Sequence, residues 1–148
     1  MSFTRTLLLV LVGFFPLAAV ADADDGARQT VSRADRLAIQ NVIAAQIKAF
    51  EREDDLAAFS LAAPDVRRQF GSAQAFMTMV KSGYESLYRN RSATFLETSM
   101  VDGGIVQSMR IVQSDGDVVI ALFNMERQAN GDWRIAGCEL TPSDLIAT

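Results

Sequence analysis

Few side chains in this chain can act on a substrate. There is one cysteine, Cys138, and there are two tyrosines, Tyr84 and Tyr88. Histidine is absent. That removes the commonest general base, the commonest metal ligand and the usual pH switch. A Ser-His-Asp or Cys-His arrangement therefore cannot form within the chain, and a single cysteine excludes both an intrachain disulfide and a cysteine-only zinc site. Two acid–base pairings remain: Tyr84 or Tyr88 with Glu126, where a phenol and a carboxylate would polarise a carbonyl and move a proton. The plainer reading of both tyrosines is an aromatic plug between helix and sheet. The acidic pairs Asp24-Asp25 and Asp54-Asp55 lack the oxygen-rich spacing of a calcium loop and read as leader and helix cap. No cofactor or metal is expected.

The elements that would position these groups follow from periodicity. The chain has 148 residues, 49% apolar and 22% charged, enough for one domain with a core. Its formal net charge of −4 argues against a nucleic-acid partner, which needs a basic stripe. Residues 1–21 read as a signal peptide: Arg5, an apolar run from Leu7 to Leu17, then the small-x-small series Ala19-Val20-Ala21. Cleavage there would remove one cation and no anion, leaving net −5. The expected product is a secreted or periplasmic protein starting at Asp22, with no membrane anchor and a flexible leader over 22–31. One domain is expected over 32–148.

Within that domain Ser32 caps a helix whose stripe is Ile39, Ile43, Ile47 and Phe50. Asp54 caps a second, short helix that Pro64 closes, and Ser72 caps a third with Phe76, Met77, Met79 and Val80. Residues 64–71 read as one more helical turn and 84–91 as a connector. The period then becomes strand-like. Asp102-Gly103, Asp115-Gly116 and Asn130-Gly131 are hairpin signals. They delimit four antiparallel strands over about 93–101, 104–114, 117–129 and 132–140. The expected fold is α+β: three N-terminal helices on a curved four-stranded antiparallel sheet.

Two-residue loops at all three turns would put Thr98, Gln107, Asn124 and Gly137 in one row. That row would share a face with Met109, Ile111, Ile120, Leu122, Trp133 and Ile135, the face expected to lie under the helices. Such a row either lines a cavity or satisfies its own hydrogen bonds. The expected ligand pocket is bounded by Thr98, Gln107, Asn124, Trp133, Phe76 and Met79. The other face carries Phe95, Val106, Phe123, Met125 and Cys138, and it would dimerise if a second subunit covered it. Cys138, among apolar neighbours, reads as a small hydrophobe rather than a reactive thiol.

Several segments in fixed order resemble a bacterial family, domain of unknown function 4864. They are A-x-P at 62–64, Q-F-G at 69–71, F-M-x-M-V at 76–80, V-Q at 106–107, a following D-G, and W-R-I-x-G-C-x-L at 133–140. The resemblance covers roughly residues 36–140. It carries no activity. Through that family the chain is similar to the cone-shaped domains of the nuclear-transport-factor-2-like or cystatin-like kind, which implies helices held in a curved sheet, often a pocket and often a dimer. Enzymes of that wider group commonly use Asp/His or Tyr/Asp sites. The first is absent here. Two functions follow: a non-enzymatic module binding a small apolar or amphiphilic ligand or a partner protein, or a small cofactor-free lyase or isomerase using Tyr84 or Tyr88 with Glu126.

Overall fold

The computed structural model describes residues 30–143; the expected signal peptide and most of the leader lie outside them. Ser32 Oγ accepts the Asp35 amide at 3.0 Å and so starts α1, Arg33–Glu51. Ile39, Ile43, Ile47 and Phe50 are buried along one stripe. Asp54 caps α2, Asp55–Ser60, through the Ala57 amide. Pro64 does more than close α2. It stands at the first position of α3, Pro64–Phe70, where its missing N–H is not needed. Gly71 ends α3 at φ 77°. Ser72 caps α4, Ala73–Gly83, and the connector winds into a short α5, Glu85–Tyr88. Five helical segments thus form among the described residues: the three expected helices, the turn expected over 64–71, and α5 where a connector was expected.

The sheet is an antiparallel meander in the order β1 (Asn90–Val101), β2 (Gly104–Gln113), β3 (Val118–Arg127), β4 (Trp133–Pro142). The fold is α+β, with the helices packed on one face of the sheet. Part of the free edge of β4 is covered: Ala63 N–H donates to Ile135 O at 2.8 Å, and Ile135 N–H to Leu61 O at 3.0 Å.

The register corrects the expected one. Asp102-Gly103 is a two-residue loop, with φ 49° and 80°, and Thr98 faces Gln107 as expected. The other two loops hold three residues. Gln113 N–H donates to Asp117 O and Gly116 N–H to Gln113 O; Gln128, Asp132 and Gly131 repeat this pattern. That is a turn followed by one left-handed glycine, at φ 97° for Gly116 and 91° for Gly131. One extra loop residue slips the pairing by one and turns every β3 side chain over. Gln107 therefore faces Phe123, and Asn124 faces Val106. Ala121, Phe123 and Met125 enter the core in place of Ile120, Leu122 and Asn124.

Three register shifts interrupt the strand pairing: Arg91 is extra at the start of β1, and two bulges lie further in. In β1, Leu96 and Glu97 are inserted opposite Ser108. In β4, Ala136 is the extra residue, so Met125 faces Ile135 while Asn124 faces Gly137 and Phe123 faces Cys138. The second bulge turns Cys138 and Leu140 to the same side as Trp133 and Ile135. Both then pack against the core.

Candidate functional site

The site is a cavity of about 230 Å³ between the helices and β4. Gln46 and Phe50 reach it from α1, Ala62 from the segment before α3, and Val66, Gln69 and Phe70 from α3. Phe76, Met79 and Val80 come from α4, Tyr84 and Leu87 from the α4–α5 junction, and Ile135 to Cys138 from the β4 bulge. Local sequence explains the walls. Phe76 is the hub of an aromatic cluster, with ring centroids 6.3 Å from Phe50 and 5.7 Å from both Phe59 and Phe70. The bulge presents two small residues, Ala136 and Gly137, between the inward-facing Ile135 and Cys138.

Polar atoms at the cavity are few. Tyr84 Oη donates to Cys138 O at 2.8 Å and so ties the α4–α5 junction to the sheet. Burial raises the Tyr84 phenol above its ordinary pKa of 10.0, with Cys138 and Glu139 adding to the effect. Burial, then Glu139, pushes the Cys138 thiol up to about 12. A reactive cysteine needs the opposite, a nearby cation or helix N-terminus lowering its pKa. Cys138 is a protonated, partly buried wall residue. Gln46 is 3% exposed, and its Nε2 donates to Ala58 O at 3.2 Å.

Of the residues expected to bound a pocket, Phe76 and Met79 do so. Thr98 and Gln107 form a separate, closed network. Thr98 Oγ1 donates to Gln107 Oε1 at 2.5 Å, and Gln107 Nε2 donates to Glu97 O and Ser108 O. Gln107 is fully buried. Asn124 is exposed on the outer face, turned there by the loop slip. Trp133 is buried under the start of α1, where its Nε1 donates to Asp35 Oδ1 at 3.3 Å and the Arg127 guanidinium lies 5.7 Å from its ring. That carboxylate also lies 3.6 Å from Arg127. Its pKa is lowered, first by the Ser32 hydroxyl; desolvation, the next largest effect, opposes this, and Trp133 and Arg127 lower it further.

The tyrosine–carboxylate pair does not assemble. Tyr84 lines the cavity, whereas Glu126 is exposed on the outer face and bonded by Gln128 at 3.2 Å. Tyr88 is partly buried with the Arg89 guanidinium 5.5 Å from its ring. Among the described residues no three Cys, Asp or Glu side chains are grouped to hold a metal ion. No described helix is long and apolar enough to cross a membrane.

The reading from sequence missed Gln46. The signal was present: residue 46 stands four after Val42 and four before Phe50, so it is a polar residue inside an apolar stripe.

Residues 32–147 match the family described as Domain of unknown function (DUF4864). The chain belongs to that family. No curated protein and no solved structure matches it. The DUF4864 match runs from the α1 cap through the end of β4, so the cavity lies wholly within the domain.

Proposed function

We propose that this DUF4864 protein is a secreted, periplasmic, non-enzymatic module that holds a small apolar or amphiphilic ligand inside its domain. The observation that carries this reading is the cavity at the β4 bulge: about 230 Å³, walled by Phe50, Phe70, Phe76, Met79 and Val80, with a few polar groups at Gln46, Gln69 and Tyr84. A concave, mostly apolar site with a few polar groups is what small-ligand sites present, and its volume lies just below their usual ~300–1,000 Å³. The Ala19-Val20-Ala21 series after a short apolar run supports export.

Native mass spectrometry of the protein isolated from the periplasm of its own source tests both parts. The expected result is a chain starting at Asp22 with a retained small molecule, lost when Met79→Trp fills the cavity. A chain retaining Met1, or one with no added mass that also fails to take up any apolar compound in vitro, would overturn the proposal. The outer sheet face is the proposed surface for a homodimer, since Val106, Ile120 and Leu122 share it with Val101, which is 49% exposed. Sedimentation of Leu122→Lys against the wild type decides this. A dimer reduced to monomer supports it, and a wild type that is monomeric at high concentration refutes it.

A further inference from the structure

Resting on the ligand-binding reading above, we infer that the cavity selects an uncharged, one- or two-ring molecule bearing a single O–H or N–H donor, which Gln46 Oε1 accepts. Three observations define this class. The first is size. A cavity of about 150 Å³ accommodates benzene. At about 230 Å³ there is room for a substituted ring or two fused rings, against walls that include Phe50, Phe70 and Phe76. The second is charge. No Asp, Glu, Lys or Arg lines the cavity. Tyr84 and Cys138 both stay protonated at neutral pH. An ionised ligand would meet no counter-charge among the lining residues, and desolvating it there is costly.

The third is the orphan acceptor. Ala58 O can only accept, so its bond from Gln46 fixes which end of the amide is Nε2 and leaves Oε1 as the other end. No described residue donates to Oε1. Among the described residues the one fully occluded side-chain polar atom without a partner is Arg67 Nε. Gln46 Oε1 is therefore not sealed off. Gln46 is 3% exposed and lines the cavity, and its unpartnered Oε1 is the acceptor proposed for a ligand there. A buried carbonyl oxygen of this kind is satisfied by a donor, and an aromatic or alicyclic alcohol or amide brings one.

Binding of naphthalene, 2-naphthol and 2-naphthoate to wild type and to Gln46→Met, read by calorimetry, tests this. Wild type is expected to bind 2-naphthol at least as tightly as naphthalene and to reject 2-naphthoate. Gln46→Met is expected to weaken 2-naphthol about tenfold, the scale of one buried hydrogen bond, and to leave naphthalene within about twofold. Equal effects on both neutral probes, a wild-type preference of more than tenfold for naphthalene, or tight binding of 2-naphthoate would each overturn the inference and leave the cavity reading standing. If none of the three binds, the cavity reading fails as well. Should Gln46→Met not fold, the wild-type comparison of the three probes decides alone.

Discussion

The two bulged strands use one backbone device to opposite ends. In β1, Leu96 and Glu97 are inserted opposite Ser108, and polar side chains close the gap. Ser108 Oγ donates to Glu97 O and accepts its amide, both at 3.0 Å, while Gln107 Nε2 also donates to Glu97 O. In β4, Ala136 is inserted among small residues beneath α3 and α4, and the space stays open as the cavity. At the first bulge the Thr98, Gln107 and Ser108 side chains all find partners within the sheet. At the second, Gln46 keeps a spare acceptor. A bulge thus becomes structure or site according to the side chains set opposite it.

The largest effect should come from breaking the sealed bulge. Gln107→Ala removes three hydrogen bonds, leaves Thr98 without its acceptor and opens a void, at about 3 kcal/mol. Urea denaturation would read this as a lower midpoint, with 2-naphthol affinity in the folded protein unchanged. Loss of affinity there would mean that the two bulges are coupled. Tyr84→Phe acts at the open bulge and removes one bond to Cys138 O. About 1 kcal/mol is expected, since a backbone carbonyl beside a cavity can recruit water. A loss as large as that of Gln107→Ala would make the second bulge as sealed as the first.

Cys138→Ala is expected to cost under about 1 kcal/mol at neutral pH, because little more than the sulfur is removed. Its signature is in the pH dependence. Burial raises the folded thiol from its ordinary 9.0 to about 12, so the unfolded chain loses its proton first. The neutral thiol's contribution is complete below pH 9 and is lost as pH rises toward about 12. The wild type should lose its advantage over Cys138→Ala across that window, and thiol reagents should label the native protein slowly at neutral pH. The smallest effect belongs to Asp35, away from both bulges. Its folded pKa lies below the ordinary 3.8, so its contribution is present above that value and lost as pH falls through the depressed one. Asp35→Asn should flatten that acid limb, read through Trp133 fluorescence.

Elements governed by neighbours in sequence were legible. Ser32, Asp54 and Ser72 cap as read, the α1 stripe is buried as read, and the turn dipeptides separate four strands within a few residues of their ends. These features depend on 3.6- and 2-residue periods and on side chains reaching the next turn of backbone. The inward placing of Phe76 and the half-buried Met79, which line the cavity, follows from the α4 pattern alone. The side taken by Asn124 was not legible. Asp115-Gly116 suits a two-residue loop, and its glycine equally suits the left-handed place of a three-residue loop. The dipeptide carries no information that separates the two.

The sequence alone therefore determined the capped helices, the number and order of strands, the turn sites and the apolar character of Cys138's surroundings. The tertiary structure decided the register, and with it which side chains share a face. Phe123 beats Asn124 for the core because burying an aromatic ring gains free energy where burying an unpartnered amide costs it. The β4 bulge then lets Ile135 and Cys138 face inward together. Gln46 is polar in sequence and buried in the fold. Only the packing of α1 against α2 and β4 brings its Nε2 to Ala58 O and sets the residue in the cavity wall.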